Sequence, residues 1–404
     1  KKRGPPHICR HFACPVRIKT IPLSIYDSLL MQPTICFVTT GDISINATAK
    51  RALGMAVPLT QRGWAVTILM EDTAENRHRA AIECADAASV IYFTQRSALD
   101  EIRSKNRIIA HRHIDVLYLS APVARNMVRT PRHCRLVVEH SELMSHFTGL
   151  PGMARLKALF FELLSVVQAD ALVCASQYLY DIFSQRARRM RYRPSMLYLP
   201  YAYNERVCHP MPVDRDTIGG GRYAGRKVFC YMGSITHSYG ALTMTAAIDQ
   251  LHRSHPDVLL VMMGHGPAYD EVRQEIAQRR LARHIEQTGY VSEEDIDRYF
   301  SLADYFILPM RDTEQDWARC PSKLYMYLPY DRPIVTCRIG EPWSVLGDKG
   351  TYYQPGNAED MAAKMAQLID SGRAHLGIAP KEHIWQARAE VFDQWIRRLA
   401  ETGK

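Results

Sequence analysis

The feature that most limits the fold is a recurrence. Short, nearly unbroken runs of β-branched, aliphatic and aromatic residues are each followed by a stretch of helical period. "TICFVTT" (Thr34–Thr40) comes first, then "INATAKRALGMAVPLTQRG" (Ile45–Gly63), then "WAVTILM" (Trp64–Met70). The same type of run returns at "SVIYF" (Ser89–Phe93), "DVLYLS" (Asp115–Ser120), "RLVVEH" (Arg135–His140), "ALVCAS" (Ala171–Ser176) and "SMLYLP" (Ser195–Pro200). A strand wetted on one face alternates apolar and polar residues. These runs stay apolar, as parallel strands buried on both faces do. The pattern predicts a doubly wound α/β domain.

The periodicity lapses in "HPMPVDRDTIGGGRYAGR" (His209–Arg226), whose proline, glycine and charge read as a linker. It restarts with "KVFCYMG" (Lys227–Gly233) and continues through "DVLLVMMG", "IEQTGYV", "DYFILP" and "RPIVTC". "HIWQARAEVFDQWIRRLA" (His383–Ala400) closes the chain with apolar residues at helical spacing. Two Rossmann-like domains are therefore expected, over 31–208 and 227–382, joined by a hinge at 209–226 and followed by a terminal helix over 383–404. Residues 1–30 are basic, with no acidic residue before Asp27, and read as a targeting peptide or upstream extension.

The 404 residues suffice for two cores, and 47% hydrophobic with 23% charged content belongs to a globular chain. No apolar run reaches the ~20 residues of a bilayer span. "LKALFFELLSVV" comes nearest, but it is short and carries Lys157 and Glu162. The expectation is a soluble cytoplasmic protein or one peripheral to a membrane. The net charge is +9, and "RARRMRYRP" places Arg186, Arg188, Arg189 and Arg191 together. Such a cluster is either a solvated helix face or a contact for an anionic partner, a membrane surface or lipid pyrophosphate before nucleic acid. No nucleic-acid partner is expected, because no finger spacing or RNP-like aromatic pattern accompanies it. Cys36, Cys134, Cys174, Cys230 and Cys337 sit in apolar runs and read as core residues. "HICRHFAC" lacks a second ligand cluster, and no metal is expected.

In open parallel sheets ligands bind beyond the carboxyl ends of the strands. The candidate loops are "TTGDIS", with Gly41, "GSITHSYG" (Gly233–Gly240), which opens a helix suited to phosphates, and "GHGP" (Gly264–Pro267). In order, "YMGSITHSYGALTMTAAIDQL", "VLLVMMGHGP", "HIEQTGYVSEEDIDRYFSLADYFILPM" and "PSKLYMYLPYDRPIVT" resemble successive landmarks of family-4-like, GT-B-fold glycosyltransferases. The first half matches this family more loosely.

The resemblance implies two domains facing a cleft, with the terminal helix crossing back. It implies a sugar moved from a nucleotide-sugar co-substrate to a glycan or lipid-linked acceptor, with retention and without a metal or further cofactor. Gly233 and Ser234 would face the diphosphate, and Gly264 and Gly266 would pass close to the donor. Tyr290 and Val291 would line the base pocket, while Ser322, Lys323 and Leu324 would sit beside phosphates and sugar. Lys323 would stabilise charge on the leaving group, and His140 would face the donor sugar. The chain departs from the pattern at four charged positions. Ser234 and Tyr239 stand where an arginine and a lysine are common, and the E-x7-E acids fall at Ala318 and Met326. Glu314 and Asp316 are the acids that would reach in from a different register. These departures keep two other readings open: a catalytically silent GT-B scaffold, and a nucleotide-sugar epimerase.

Overall fold

A computed structural model of the chain describes residues 32–44 and 49–401. The basic stretch 1–30, with "HICRHFAC", and part of the predicted helix over 45–63 lie outside the described residues. The first sheet contains β1 (Thr34–Val38), β2 (Ala65–Glu71), β3 (Ala88–Phe93), β4 (Val116–Leu119), β5 (Arg135–His140), β6 (Ala171–Cys174) and β7 (Ser195–Tyr198). Its order is β3-β2-β1-β4-β5-β6-β7. All pairs are parallel, with Thr34 opposite Ala65 and Val137 opposite Ala171. The second sheet contains β8 (Lys227–Met232), β9 (Val258–Met263), β10 (Ile285–Gly289), β11 (Tyr305–Ile307), β12 (Ile334–Thr336) and β13 (Thr351–Tyr352). It runs β10-β9-β8-β11-β12-β13, also all parallel. β13 is two residues long and carries no apolar run that would announce it.

Helices cover both faces of the first sheet because both faces are apolar. On one side lies α1 (Lys50–Gln61). On the other lie α2 (Ala98–Ala110), α3 (Gly152–Gln168) and α4 (Gln177–Met190), contributing Ile109, Val166 and Phe183 to one core cluster. Ser176 caps α4 by accepting from Leu179 N–H. The second domain carries α5 (Ala241–Leu251), α6 (Glu314–Ala318), α7 (Ser322–Tyr327) and α8 (Gly340–Leu346). α5 starts a turn later than "GSITHSYG" suggests. Thr236 first caps a single turn of 3₁₀ helix, His237–Tyr239, and Gly240 at φ 70° then redirects the chain. The five cysteines read as core are buried and free, as are Cys84, Cys208 and Cys320.

The last helix, α9 (Trp385–Glu401), crosses back onto the first domain. Trp64 Nε1 donates to Asp393 at 2.6 Å, and Trp395 Nε1 donates to Ser195 Oγ at 3.0 Å. Trp385 fills the space over Gly54, where a Cβ would fall inside the indole. Beneath it Arg51 is fully buried. It pairs with Glu139 at 2.9 Å, and the same carboxylate accepts from Tyr118. Such a pair needs further partners to offset its desolvation. Leu199 O accepts from Arg51, and the Tyr201 ring lies 5.1 Å from the guanidinium.

Candidate functional site

The carboxyl-end loops of the two sheets meet across a cleft. From the second sheet comes the loop after β8. Gly233 has φ 147°, and a side chain there would collide with Lys323 Nζ, so glycine clears the path of the lysine. Lys323 lies in the first turn of α7, with Nζ 3.5 Å from Tyr231 Oη and 4.5 Å from that ring's centre. From the first sheet Lys50, at the start of α1, donates to Ser322 Oγ at 3.0 Å. Arg319 stands 4.6 Å from the Tyr239 ring centre, and Lys323 Nζ lies 5.5 Å from the same ring. Three cations thus converge on the Gly233 loop. Among the described residues Lys323 has no carboxylate partner. Burial, then Arg319, then Lys50 push its pKa down to about 7. Burial, with Arg79 adding repulsion, also lowers that of Lys50. Arg319 is balanced by buried Asp316 at 2.7 Å, whereas Lys50 and Lys323 have no carboxylate salt bridge among the described residues, so these two ammonium groups are poised to receive an anion.

The other predicted residues divide. Ser234 is exposed at the loop tip, where its carbonyl accepts from Tyr231 Oη. Gly264 and Gly266 serve the contact between two loops: a Cβ at 264 would overlap Gly233 O, and one at 266 would lie 2.5 Å from Ile235 O. Tyr290 is 85% exposed, and His265 stacks between it and Tyr269. Val291 is half-buried against the core behind it. Gly41 has φ 78°, and its carbonyl accepts from Asn76.

Several expectations are corrected. His140 does not face the cleft. Side chains alternate along β5, so Glu139 points to Arg51 under α1 and His140 points into the α3–α4 layer. There it is completely buried, bonded to Ser165 Oγ at 2.9 Å and stacked on Phe183 at 3.6 Å. Burial pushes its pKa down to about 3, which keeps it neutral. Asp316 does not reach into the cleft as a free acid. It is buried, paired with Arg319 at 2.7 Å and hydrogen-bonded to Arg311 N–H, so it holds Arg319 in place. Glu314 is exposed and bridges to His146 of the first domain. Leu324 is a core residue whose N–H donates to Pro321 O, and Met326 packs against the same core. Arg186 leaves the basic patch: it pairs with Glu162 at 2.7 Å and lies over Phe183. Arg188, Arg189 and Arg191 are exposed.

The absence of an acid at 318 has a packing cause. Ala318 is fully buried where α6 meets the first domain, and Ser176 Oγ donates to its carbonyl at 2.6 Å. A carboxylate there would be desolvated without a partner. Cations do stand near those positions: Arg319 lies 4.6 Å from the Tyr239 ring centre, and Lys50 donates to Ser322. Neither is singled out by its sequence surroundings. Glu142, two residues beyond β5, was also missed. It is half-buried, and its pKa is raised by burial, with Arg319 acting against the shift.

This arrangement, two parallel-sheet domains with a cleft between their carboxyl ends and a helix crossing back, is the GT-B fold. Residues 226–371 match the family described as glycosyl transferases group 1, so the second domain is a group 1 glycosyltransferase domain. Over 147 residues the chain is 21% identical to the 2-deoxystreptamine N-acetyl-D-glucosaminyltransferase of Niallia circulans, 36% of each protein. Over 260 residues it is 24% identical to the O-antigen chain mannosyltransferase C of Escherichia coli, 63% of this chain and 62% of that one. Each match thus spans less than two thirds of the relative. The Anabaena protein Alr3699/HepE, solved with UDP and glucose, superposes with a TM-score of 0.66 at 16% identity, covering 92% of this chain and 99% of that one.

Proposed function

We propose that the protein transfers a sugar from a nucleotide-sugar to a glycan or lipid-linked acceptor. The observation that carries this reading is the convergence of Lys50, Arg319 and Lys323 on the glycine loop after β8. A diphosphate placed there would complete the charge that the protein leaves unbalanced, and the leaving group would be stabilised as the glycosidic bond breaks. With Lys50 and Lys323 supplying that neutralisation beside the Asp316-paired Arg319, the reaction would proceed without a bound metal. Exposed Tyr290 and His265 offer a stacking surface for the base. Glu142, close enough to Arg319 to feel its charge, would be the carboxylate that meets the donor sugar or the acceptor hydroxyl. Retention follows if the leaving phosphate oxygen takes the acceptor proton, a route that requires no protein base. Exposed Arg188, Arg189 and Arg191 would hold the protein against an anionic membrane; loss of vesicle co-sedimentation in the triple glutamine variant checks this.

The deciding experiment is a titration with UDP, GDP, ADP and CMP and their sugars. UDP is the first probe because HepE was solved with it. Micromolar to millimolar binding of one nucleotide supports the reading, and no binding at millimolar concentration removes it. The apolar residues Ala318 and Met326 favour a second reading, a silent GT-B protein; it would bind nucleotide yet show no donor turnover with any acceptor.

A further inference from the structure

A pocket of about 640 Å³ opens in the first domain beside the cleft, with Thr40 and Gly41 at the end of β1 forming part of its wall. The side chains that give it character are Ala98, Val123, Met144, Phe147, Leu150 and Phe161. The segment carrying Met144 and Phe147 is tied to the second domain: His146 pairs with Glu314 at 2.9 Å, and Thr148 donates to Gln315. The pocket wall is therefore also the rim of the cleft. Arg125, which lines the pocket as well, is paired with buried Glu101 at 2.8 Å.

One helix contributes most. Ala154, Lys157, Ala158 and Phe161 of α3 recur at three- and four-residue spacing and line the pocket. On the adjoining face Met153, Leu156 and Phe160 are 80%, 61% and 58% exposed. Water-facing helix surfaces are normally polar, and a contiguous apolar stripe marks a contact. The charges on the first turns of α3 are Arg155 and Lys157. Neither has a carboxylate partner among the described residues.

We infer that this pocket takes the hydrocarbon part of an amphiphilic acceptor whose anionic, phosphate-class head meets Lys157. The inference rests on the transfer reading and names its acceptor class. A purely saccharide acceptor would require acids and amides to bind its hydroxyls; the lining holds no acid and one amide, Gln95, whose oxygen already accepts from Arg125, and the Thr40 hydroxyl already donates to Glu101. A chain longer than the pocket continues along Met153, Leu156 and Phe160.

The test is calorimetry of the full chain with alkyl phosphates from hexyl to decyl, below their micelle concentrations. Affinity is expected to rise about three- to fourfold per methylene. It should fall about tenfold in Lys157→Gln, or when decanol replaces decyl phosphate. Ala158→Trp fills the pocket and should abolish alkyl-phosphate binding while leaving nucleotide binding intact, which also shows that the variant is folded. Affinity independent of chain length, or unchanged in Lys157→Gln, overturns the inference. So does concentration-dependent dimerisation that Leu156→Glu removes, since a second copy would then cover the stripe. Nucleotide binding without alkyl-phosphate binding removes this inference and leaves the transfer reading standing; the reverse result removes the transfer reading and with it the acceptor role, leaving only an amphiphile-binding pocket.

Discussion

At the scale of single residues, the site is marked by Lys323, an ammonium with no carboxylate partner among the described residues. Lys323 has its pKa pushed down to about 7, with burial as the main cause and Arg319 and Lys50 as further ones. A bound diphosphate would restore the ammonium, so above pH 7 binding must draw a proton from solvent. Nucleoside diphosphate affinity is therefore expected to fall between pH 7 and 9, by up to about tenfold per unit. Calorimetry in buffers of different ionisation enthalpy should show proton uptake at pH 8. Lys323→Arg, charged at all these pH values, should flatten the profile, and Lys323→Met should bind weakly throughout. A wild-type profile that is already flat removes Lys323 from the anion site. His140 carries the opposite expectation. Its folded pKa is near 3 against about 6.5 in an unfolded chain, so the unfolded state binds a proton that the folded state excludes. That contribution to stability is present above pH 6.5 and is lost as pH falls toward 3. His140→Asn should lose about 1–3 kcal/mol at pH 7 through the lost stack on Phe183, show a shallower acid dependence, and bind nucleotide normally. Reduced nucleotide affinity in that variant would return His140 to the cleft.

At the scale of elements, the glycines after β8 and β9 form one structure. Gly264 has φ 125°, and its Cβ position is occupied by the carbonyl of Gly233. Gly264→Ala thus strains the backbone and separates the two loops. It should cost more than about 1 kcal/mol in urea unfolding and weaken nucleotide binding together with Gly233→Ala. An alanine variant of normal stability and affinity would show that the two loops need not touch. Most of the strands were legible because parallel strands buried on both faces leave continuous apolar runs in the chain; the edge strands β3, β7 and β10 are only partly buried, and β10 carries Glu286 and Gln287. The loops at the carboxyl ends of the strands were legible for the same reason, and Gly233 comes from one of them, while Lys323 is legible only through the family resemblance of "PSKLYMYLPYDRPIVT". Lys50, Arg319 and Glu142 were not legible, because their importance arises from the meeting of two domains distant in sequence. Asp316 and His140 misled for a related reason. An acid in a loop and a histidine at a strand end read as available until the partners Arg319, Ser165 and Phe183 are placed around them.

At the scale of the whole molecule, a buried carboxylate joins the two domains. Glu341 of α8 is completely buried, and its Oε1 accepts from Tyr198 of β7 and Tyr325 of α7, both at 2.7 Å. Burial raises its pKa above the ordinary glutamate value. The folded state therefore holds a proton that the unfolded chain releases above pH 4.5, and this contribution to stability, present at low pH, is lost as pH rises through the raised value. A glutamine in its place keeps an oxygen for the two tyrosines and has no proton to lose. Glu341→Gln should therefore gain stability relative to the wild type as the pH is raised from 5 to 8. Urea midpoints measured for both proteins at the two pH values test this, because other titrating groups cancel in the difference. A constant difference between the proteins across that range would mean that Glu341 enters the interface as a carboxylate, and that the two hydroxyls alone offset its burial.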